Sequence, residues 1–208
     1  MKKIIAMAVA AVLMVSAASA LDLEFGARAI LGRNLDPGQS PKDAAVQAKE
    51  DKTFDFGFGL YGNFALFGGL GIQAEANYIK SSMTFAKEGR ESVPYEMHML
   101  DLAPMVWLNL DLWKLTIGFG AGPDFAIQVN SVGDVKNAKK QDFKVGLASG
   151  ADIKFYFTDH LGLVLSGRYI MDWDKHEVEV YGVKTGVPEY QFNRRTIYGG
   201  LGLEFKLI

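Results

Sequence analysis

The chain carries three histidines, His98, His160 and His176, and no cysteine. Any catalysis would therefore run through imidazole, hydroxyl and carboxylate groups. Hydrolysis or acyl transfer needs a histidine grouped with a serine and usually an acidic partner. The spacing does not offer that group: Met99 and Leu100 follow His98, while His160 lies in the Thr158-Asp159-His160 turn and His176 in a polar stretch. No cluster has metal-ligand spacing, and thiolate ligation is impossible. Gly118, Gly120 and Gly122 recur at period two with no helix after them, so they are not a phosphate loop. The expectation is no catalytic residue, no cofactor and no metal site.

Acids and bases inside apolar runs are more informative. Glu24, Arg28, Glu75, Asp101, Asp152, Lys154, Arg168, Glu204 and Lys206 each occupy the parity opposite to an apolar one. Charges turned into one interior must pair or stay hydrated. The expected network comprises Arg28, Glu75, Asp101, Asp152, Arg168 and Glu204, with Arg28, Glu75, Arg168 and Glu204 at its middle. Such a network either plugs a bore or lines a narrow, charge-dependent water path.

The elements that position these residues are strands. In the last stretch, Ile197, Leu201, Leu203, Phe205 and Leu207 alternate with Thr196, Tyr198, Gly200, Gly202, Glu204 and Lys206, the period of a strand with two unlike faces. So apolar an edge needs a partner, and the first strand, from Leu21 to Leu31, supplies one by closing a barrel. Between them the same alternation predicts strands over 54–66, 70–78, 99–110, 113–125, 143–157 and 161–173. Short turns at Phe67-Gly68-Gly69, Asp111-Leu112 and Thr158-Asp159-His160 alternate with long polar loops at 34–52, 80–95, 128–142 and 174–191, where Glu177 to Tyr181 alternates enough to prolong both flanking strands. Short turns on one side and long loops on the other describe an outer-membrane barrel.

Composition agrees. With 49% hydrophobic residues in 208, the chain is one moderately sized domain. Met1-Lys2-Lys3, the apolar run from Ile4 to Val15 and Ala18-Ser19-Ala20 form a secretory signal peptide, with cleavage expected after Ala20 and the barrel occupying 21–208. Loss of Lys2 and Lys3 leaves 20 of the 22 basic residues against 24 acidic ones, which disfavours nucleic acid as a partner. A water-soluble barrel would turn the apolar parity inward, but about 40 mostly large residues cannot fit an interior that eight strands leave only just wide enough for side chains. They face lipid. Phe54, Tyr78, Phe125, Phe143 and Trp173 would form an outer aromatic girdle, and Phe64, Trp113, Phe157 and Phe205 an inner one. Pro104 and Pro123 each predict a bulge or local irregularity.

The whole mature chain resembles the small eight-stranded outer-membrane barrels, the superfamily of the OmpA membrane domain, OmpX, OmpW and the Opa adhesins. The resemblance rests on the strand pattern, on Gly71 to Tyr78, on Leu102-Ala103-Pro104-Met105 and on Gly118 to Pro123. It implies an all-β, antiparallel up-and-down transmembrane barrel in the bacterial outer membrane. The implied partners are membrane lipid and lipopolysaccharide, the assembly machinery at the C-terminal strand, and an extracellular ligand at the loops of a monomer. The terminal aromatic usual in that group is replaced by Ile208, with Phe205 the nearest aromatic. A structural or adhesin-like surface role is expected. The alternative is a narrow channel for small or apolar solutes, with Trp107, Met105, Ile79 and Ile170 as apolar lining.

Overall fold

The computed structural model describes residues 23–35, 46–49, 54–67, 69–87, 93–132, 136–137, 143–179 and 190–207. The segment expected to be a signal peptide, residues 1–20 with Ala18 and Ala20, lies outside the described residues. Among the described residues twelve strands follow one another: β1 (Leu23–Asn34), β2 (Val46–Lys49), β3 (Asp55–Phe67), β4 (Leu70–Lys87), β5 (Val93–Leu112), β6 (Leu115–Val132), β7 (Lys136–Asn137), β8 (Phe143–Tyr156), β9 (Leu161–Asp172), β10 (His176–Glu179), β11 (Tyr190–Phe192) and β12 (Arg195–Leu207). Eight of them, β1, β3, β4, β5, β6, β8, β9 and β12, form a closed antiparallel barrel. The ring closes where β1 pairs with β12, from Leu23↔Leu207 to Asn34↔Thr196. A closed ring leaves no unpaired backbone facing lipid, which is why a sheet can span a bilayer only in this form.

Alternation fixes which face points where. Val106 is 61% exposed and Trp107, its neighbour, 0%. Leu31, Phe58, Leu165, Ile197 and Leu201 are exposed on the outside, while Arg28, Glu75, Asp152, Lys154 and Arg168 are buried inside. The usual soluble-protein arrangement is inverted, because here the solvent on the outside is hydrocarbon.

The structure corrects several expectations from the sequence. The segment read as a loop over 80–95 is largely strand: β4 continues to Lys87 and β5 begins at Val93, paired to Phe85↔Val93. Charged and polar residues can occupy strands that rise above the membrane, where the outer face meets water, so polarity alone misleads. Within the first long loop, β2 pairs with β4 at Val46↔Lys87 and extends this wall. Of the segment Glu177 to Tyr181, residues 177–179 are described, and they do not prolong the barrel walls. They belong to β10, which pairs instead with β11 and β7 in a separate three-stranded sheet.

Turn placement also shifts. Leu112 pairs with Leu115, so the two-residue turn is Trp113-Lys114 and not Asp111-Leu112. Trp113 adopts φ 61° and stands 92% exposed, a conformation unusual for a bulky side chain. The prolines interrupt the ladder without adding a bulge. Pairing of β5 with β6 runs to Leu102↔Phe125 and resumes at Val106↔Ala121 in the same register, which places Pro104 opposite Pro123 in the gap. The shifts in register lie elsewhere, at Ala65/Phe67 and at His98/Met99.

Candidate functional site

The chemistry-bearing side chains gather in the lumen at three levels. At the periplasmic end, Lys154 of β8 donates to Glu24 Oε2 of β1 at 2.5 Å and lies 2.9 Å from Glu204 Oε2 of β12. Asn63 donates to Glu24 at 2.9 Å, and the Tyr156 hydroxyl reaches Glu24 Oε1 at 3.0 Å as well as Glu204. Four strands are thereby joined across the bore.

The middle level is built on two guanidinium groups. Arg168 of β9 takes Asp152 with both fork nitrogens, Nη1 to Oδ1 at 2.6 Å and Nη2 to Oδ2 at 3.0 Å, and Glu75 Oε1 from Nε at 2.9 Å. Arg28 of β1 bridges the other Glu75 oxygen and donates to Asn77 Oδ1 at 3.0 Å. Gln73 donates to Glu75 at 2.6 Å, and Asn77 donates to the Tyr198 hydroxyl at 3.0 Å. Trp107 lies under Arg168, with the guanidinium carbon 4.8 Å from its ring. Charge-assisted, two-pronged bonds of this kind are the strong ones.

Glycines make room for these large groups. A Cβ on Gly120 would fall 1.8 Å from the Trp107 ring, and one on Gly150 would fall 2.4 Å from Arg168 Cδ. The period-two glycines of β6 thus serve packing: a tryptophan on β5 lies across the bare backbone of its neighbour.

Toward the extracellular mouth, Ile30, Ile79, Ala103, Met105, Ala148 and Ile170 form an apolar band with Trp107 and Tyr198. Beyond it, Arg194 enters the lumen between β11 and β12. It donates through Nη1 to both oxygens of Asp101 at 2.8 and 2.9 Å, through Nη2 to Asp124 at 2.9 Å and to Asp172 Oδ1 at 3.0 Å, and through Nε to Asp172 Oδ2 at 3.1 Å. His176, on β10 above the barrel, lies with Nε2 2.7 Å from Asp172 Oδ2. Burial pushes the His176 imidazole below its ordinary value despite that carboxylate. A neutral ring then donates Nε2–H to Asp172.

The residues expected to form one network are therefore divided. Arg28, Glu75, Asp152 and Arg168 share the middle level; Glu204 belongs to the periplasmic level with Lys154 and Glu24; Asp101 belongs to the mouth. Arg194 escapes the sequence reading because it precedes the last strand. The signal that points to it is parity, since Arg194 continues the inward series of Thr196, Tyr198 and Gly200 by one further step. Asp124 and Asp172 stand on inward parities too, and nothing in their spacing sets them apart from the other inward acids.

The histidines are dispersed. His98 Nδ1 lies 2.5 Å from the Tyr78 hydroxyl, and the His160 ring stacks on Phe205 with Nδ1 3.0 Å from the Lys206 carbonyl oxygen. Among the described residues no group of three or more potential ligands has geometry suited to a metal ion.

Solved structures of similar fold include Ail, the attachment invasion locus protein of Yersinia pestis, in complex with the heparin analogue sucrose octasulfate. It shares 11% identity over 90% of this chain and 99% of that one, with a TM-score of 0.48. Neisserial surface protein A shares 10% identity over 90% and 97%, with a TM-score of 0.49. The outer membrane protein W of E. coli shares 13% identity over 88% and 97%, with a TM-score of 0.48. No curated protein matches the chain in sequence. Residues 5–205 match the outer membrane protein beta-barrel domain, and with an eight-stranded antiparallel barrel of outward apolar parity the chain belongs to that family of bacterial outer-membrane proteins.

Proposed function

We propose that the protein is a plugged outer-membrane scaffold whose role, structural or surface-binding, is exercised at its extracellular face. The observation that carries this reading is the filling of the lumen. From Glu24 to Arg194 the bore is crossed by side chains that are buried and bonded to one another. An eight-stranded interior leaves little room besides. What stays accessible is the outer face of the raised wall of β4 and β5, and recognition commonly falls to such surface segments on a rigid frame.

The test joins two measurements. Refolded residues 21–208, verified by heat-modifiable gel migration, are expected to be silent in a planar bilayer. Cells displaying the intact barrel are expected to attach to matrix-coated or glycan-coated surfaces more than cells displaying a variant lacking residues 82–96. Equal attachment to every surface sinks the adhesive role and leaves a structural one.

A second reading, a narrow path for small or apolar solutes, draws support from one observation. Asn63 Oδ1, Gln73 Oε1, Trp107 Nε1, Asn109 Oδ1 and two nitrogens of Arg28 are buried without hydrogen-bond partners among the described residues. Such groups hold water. Discrete single-channel openings would favour this reading over the plugged scaffold.

A further inference from the structure

The mouth cluster holds more acid than base. Around the single Arg194 guanidinium stand Asp101, Asp124 and Asp172, all within 3.0 Å on at least one oxygen. Their exposures are 0%, 0% and 1%, against 2% for Arg194 itself. Asp124 Oδ1 is buried with no donor among the described residues.

The surroundings do not correct the imbalance. From β3, Asp55 faces Arg194 and accepts from the Ser82 amide. From β8, Lys144 faces His176 and donates to the Lys175 carbonyl at 2.7 Å. From β4, Glu75 acts on Asp124 but is already held by Arg28 and Arg168. From β12, Tyr198 stands within the influence of Asp101, its hydroxyl accepting from Asn77 at 3.0 Å. Counting Asp55 and Lys144, four carboxylates meet two cations among the described residues, with His176 uncharged. A buried surplus of this kind is not kept ionised; a proton is taken up and shared within the cluster.

The cluster also sits where it can hold something. Asp172 ends β9, His176 begins β10, and Arg194 follows β11 by two residues. His176 pairs with Phe192 across the β10–β11 ribbon, and β10 pairs onward with β7. Both ends of that ribbon therefore run into the cluster. The backbone is stitched there too, with the Asp172 amide donating to the Arg194 carbonyl at 2.9 Å and Asn193 Nδ2 donating to the Asp172 and Trp173 carbonyls at 3.3 and 3.2 Å.

We propose that the Asp101, Asp124, Asp172 and Arg194 cluster is a proton-binding clasp that fixes the surface sheet of β7, β10 and β11 to the barrel mouth, and that alkali opens it by removing the shared proton. Asp124 is the carboxyl that carries the proton: of the three carboxylates bonded to Arg194, it is the one with an oxygen that has no hydrogen-bond partner among the described residues. When the proton leaves, one guanidinium faces three carboxylates, water enters to screen them, and the ribbon detaches while the barrel below stays closed. The sign is fixed by linkage: the clasped state binds more protons than the open one, so its stability falls as pH rises.

The chain has no cysteine, so a nitroxide at Glu177→Cys reports on β10 alone. Spectra of refolded residues 21–208 in detergent are recorded from about pH 6 to about pH 10, the interval above the ordinary carboxylate range. The expected result is an immobilised label at the acid end and a majority of mobile label at the alkaline end, with gel migration still that of the folded barrel. Asp124→Asn in the same background lacks the titrating charge and is expected to stay immobilised throughout. Arg194→Gln is expected to be mobile at both ends. A wild-type spectrum that does not change with pH overturns the proposal, as does an Asp124→Asn variant that loosens over the same interval as wild type.

Discussion

The middle of the lumen and its mouth are made of the same residue types and are built on opposite principles. In the middle, Arg28 and Arg168 meet Glu75 and Asp152, two charges against two, with the fork of Arg168 closed on Asp152. At the mouth one guanidinium serves three carboxylates. A set balanced in charge can stay ionised on its own, whereas a surplus must recruit a proton or water. The two are kept apart along the strands themselves. Counted by twos on the inward parity, β9 reads Arg168, Ile170, Asp172, and β5 reads Asp101, Ala103, Met105, Trp107, so apolar residues separate the mouth from the level below it.

Breaking one member of each set tests the contrast most severely. Arg168→Ala leaves Glu75 and Asp152 short of a counterion in a buried interior, and the expected loss is about 3–5 kcal/mol of barrel stability. Thermal loss of heat-modifiable migration in detergent reads it. Arg194→Ala is expected to loosen the mouth and leave most of that global stability in place. Equal losses would show that mouth and middle are one cooperative unit. A Glu75→Gln change sharpens the point, because Glu75 is gripped by both guanidiniums; it should cost more than the same change at Glu204, which answers to Lys154.

Packing gives a smaller effect with its own internal control. Gly120→Val drives a branched side chain into the Trp107 ring, and an overpacked core of this kind costs about 1–3 kcal/mol. Gly167 lies on the lipid face of β9, where an added Cβ meets nothing within 4 Å, and Gly167→Ala is expected to change stability by no more than about 0.5 kcal/mol. Urea unfolding in a common detergent compares the pair. A Gly120→Val barrel as stable as wild type would mean that Trp107 can leave its place over β6 without consequence.

Much of this architecture is legible in the residues themselves. Period-two alternation locates all eight barrel strands and assigns the inward parity of Arg28, Glu75, Asp152 and Arg168, because side-chain direction along a strand is a matter of counting. Two things cannot be counted. Which inward charges meet depends on the stagger between strands, so Glu204 and Asp101, inward like the rest, fall on different levels. Strand continuation above the membrane is hidden as well, since polar residues such as Ser81, Ser82 and Thr84 read as loop where the lipid-facing signal stops. Arg194 falls between these cases: its parity is that of the inward residues, but it stands one residue outside the strand that carries that parity.

His176 offers the finest distinction between the two levels. Burial holds its imidazole below the ordinary value near 6.5 that it would have in the unfolded chain. The folded form therefore favours the neutral ring, and its contribution is complete above that unfolded value and is lost as pH falls below it. Wild type and His176→Gln, compared by urea midpoint at about pH 7.5 and about pH 5.5, should converge on acidification, with a slope no steeper than about 1.4 kcal/mol per pH unit for one proton. Divergence instead would mean that His176 is charged against Asp172 in the folded protein, and the mouth would then carry less surplus acid than its carboxylates imply.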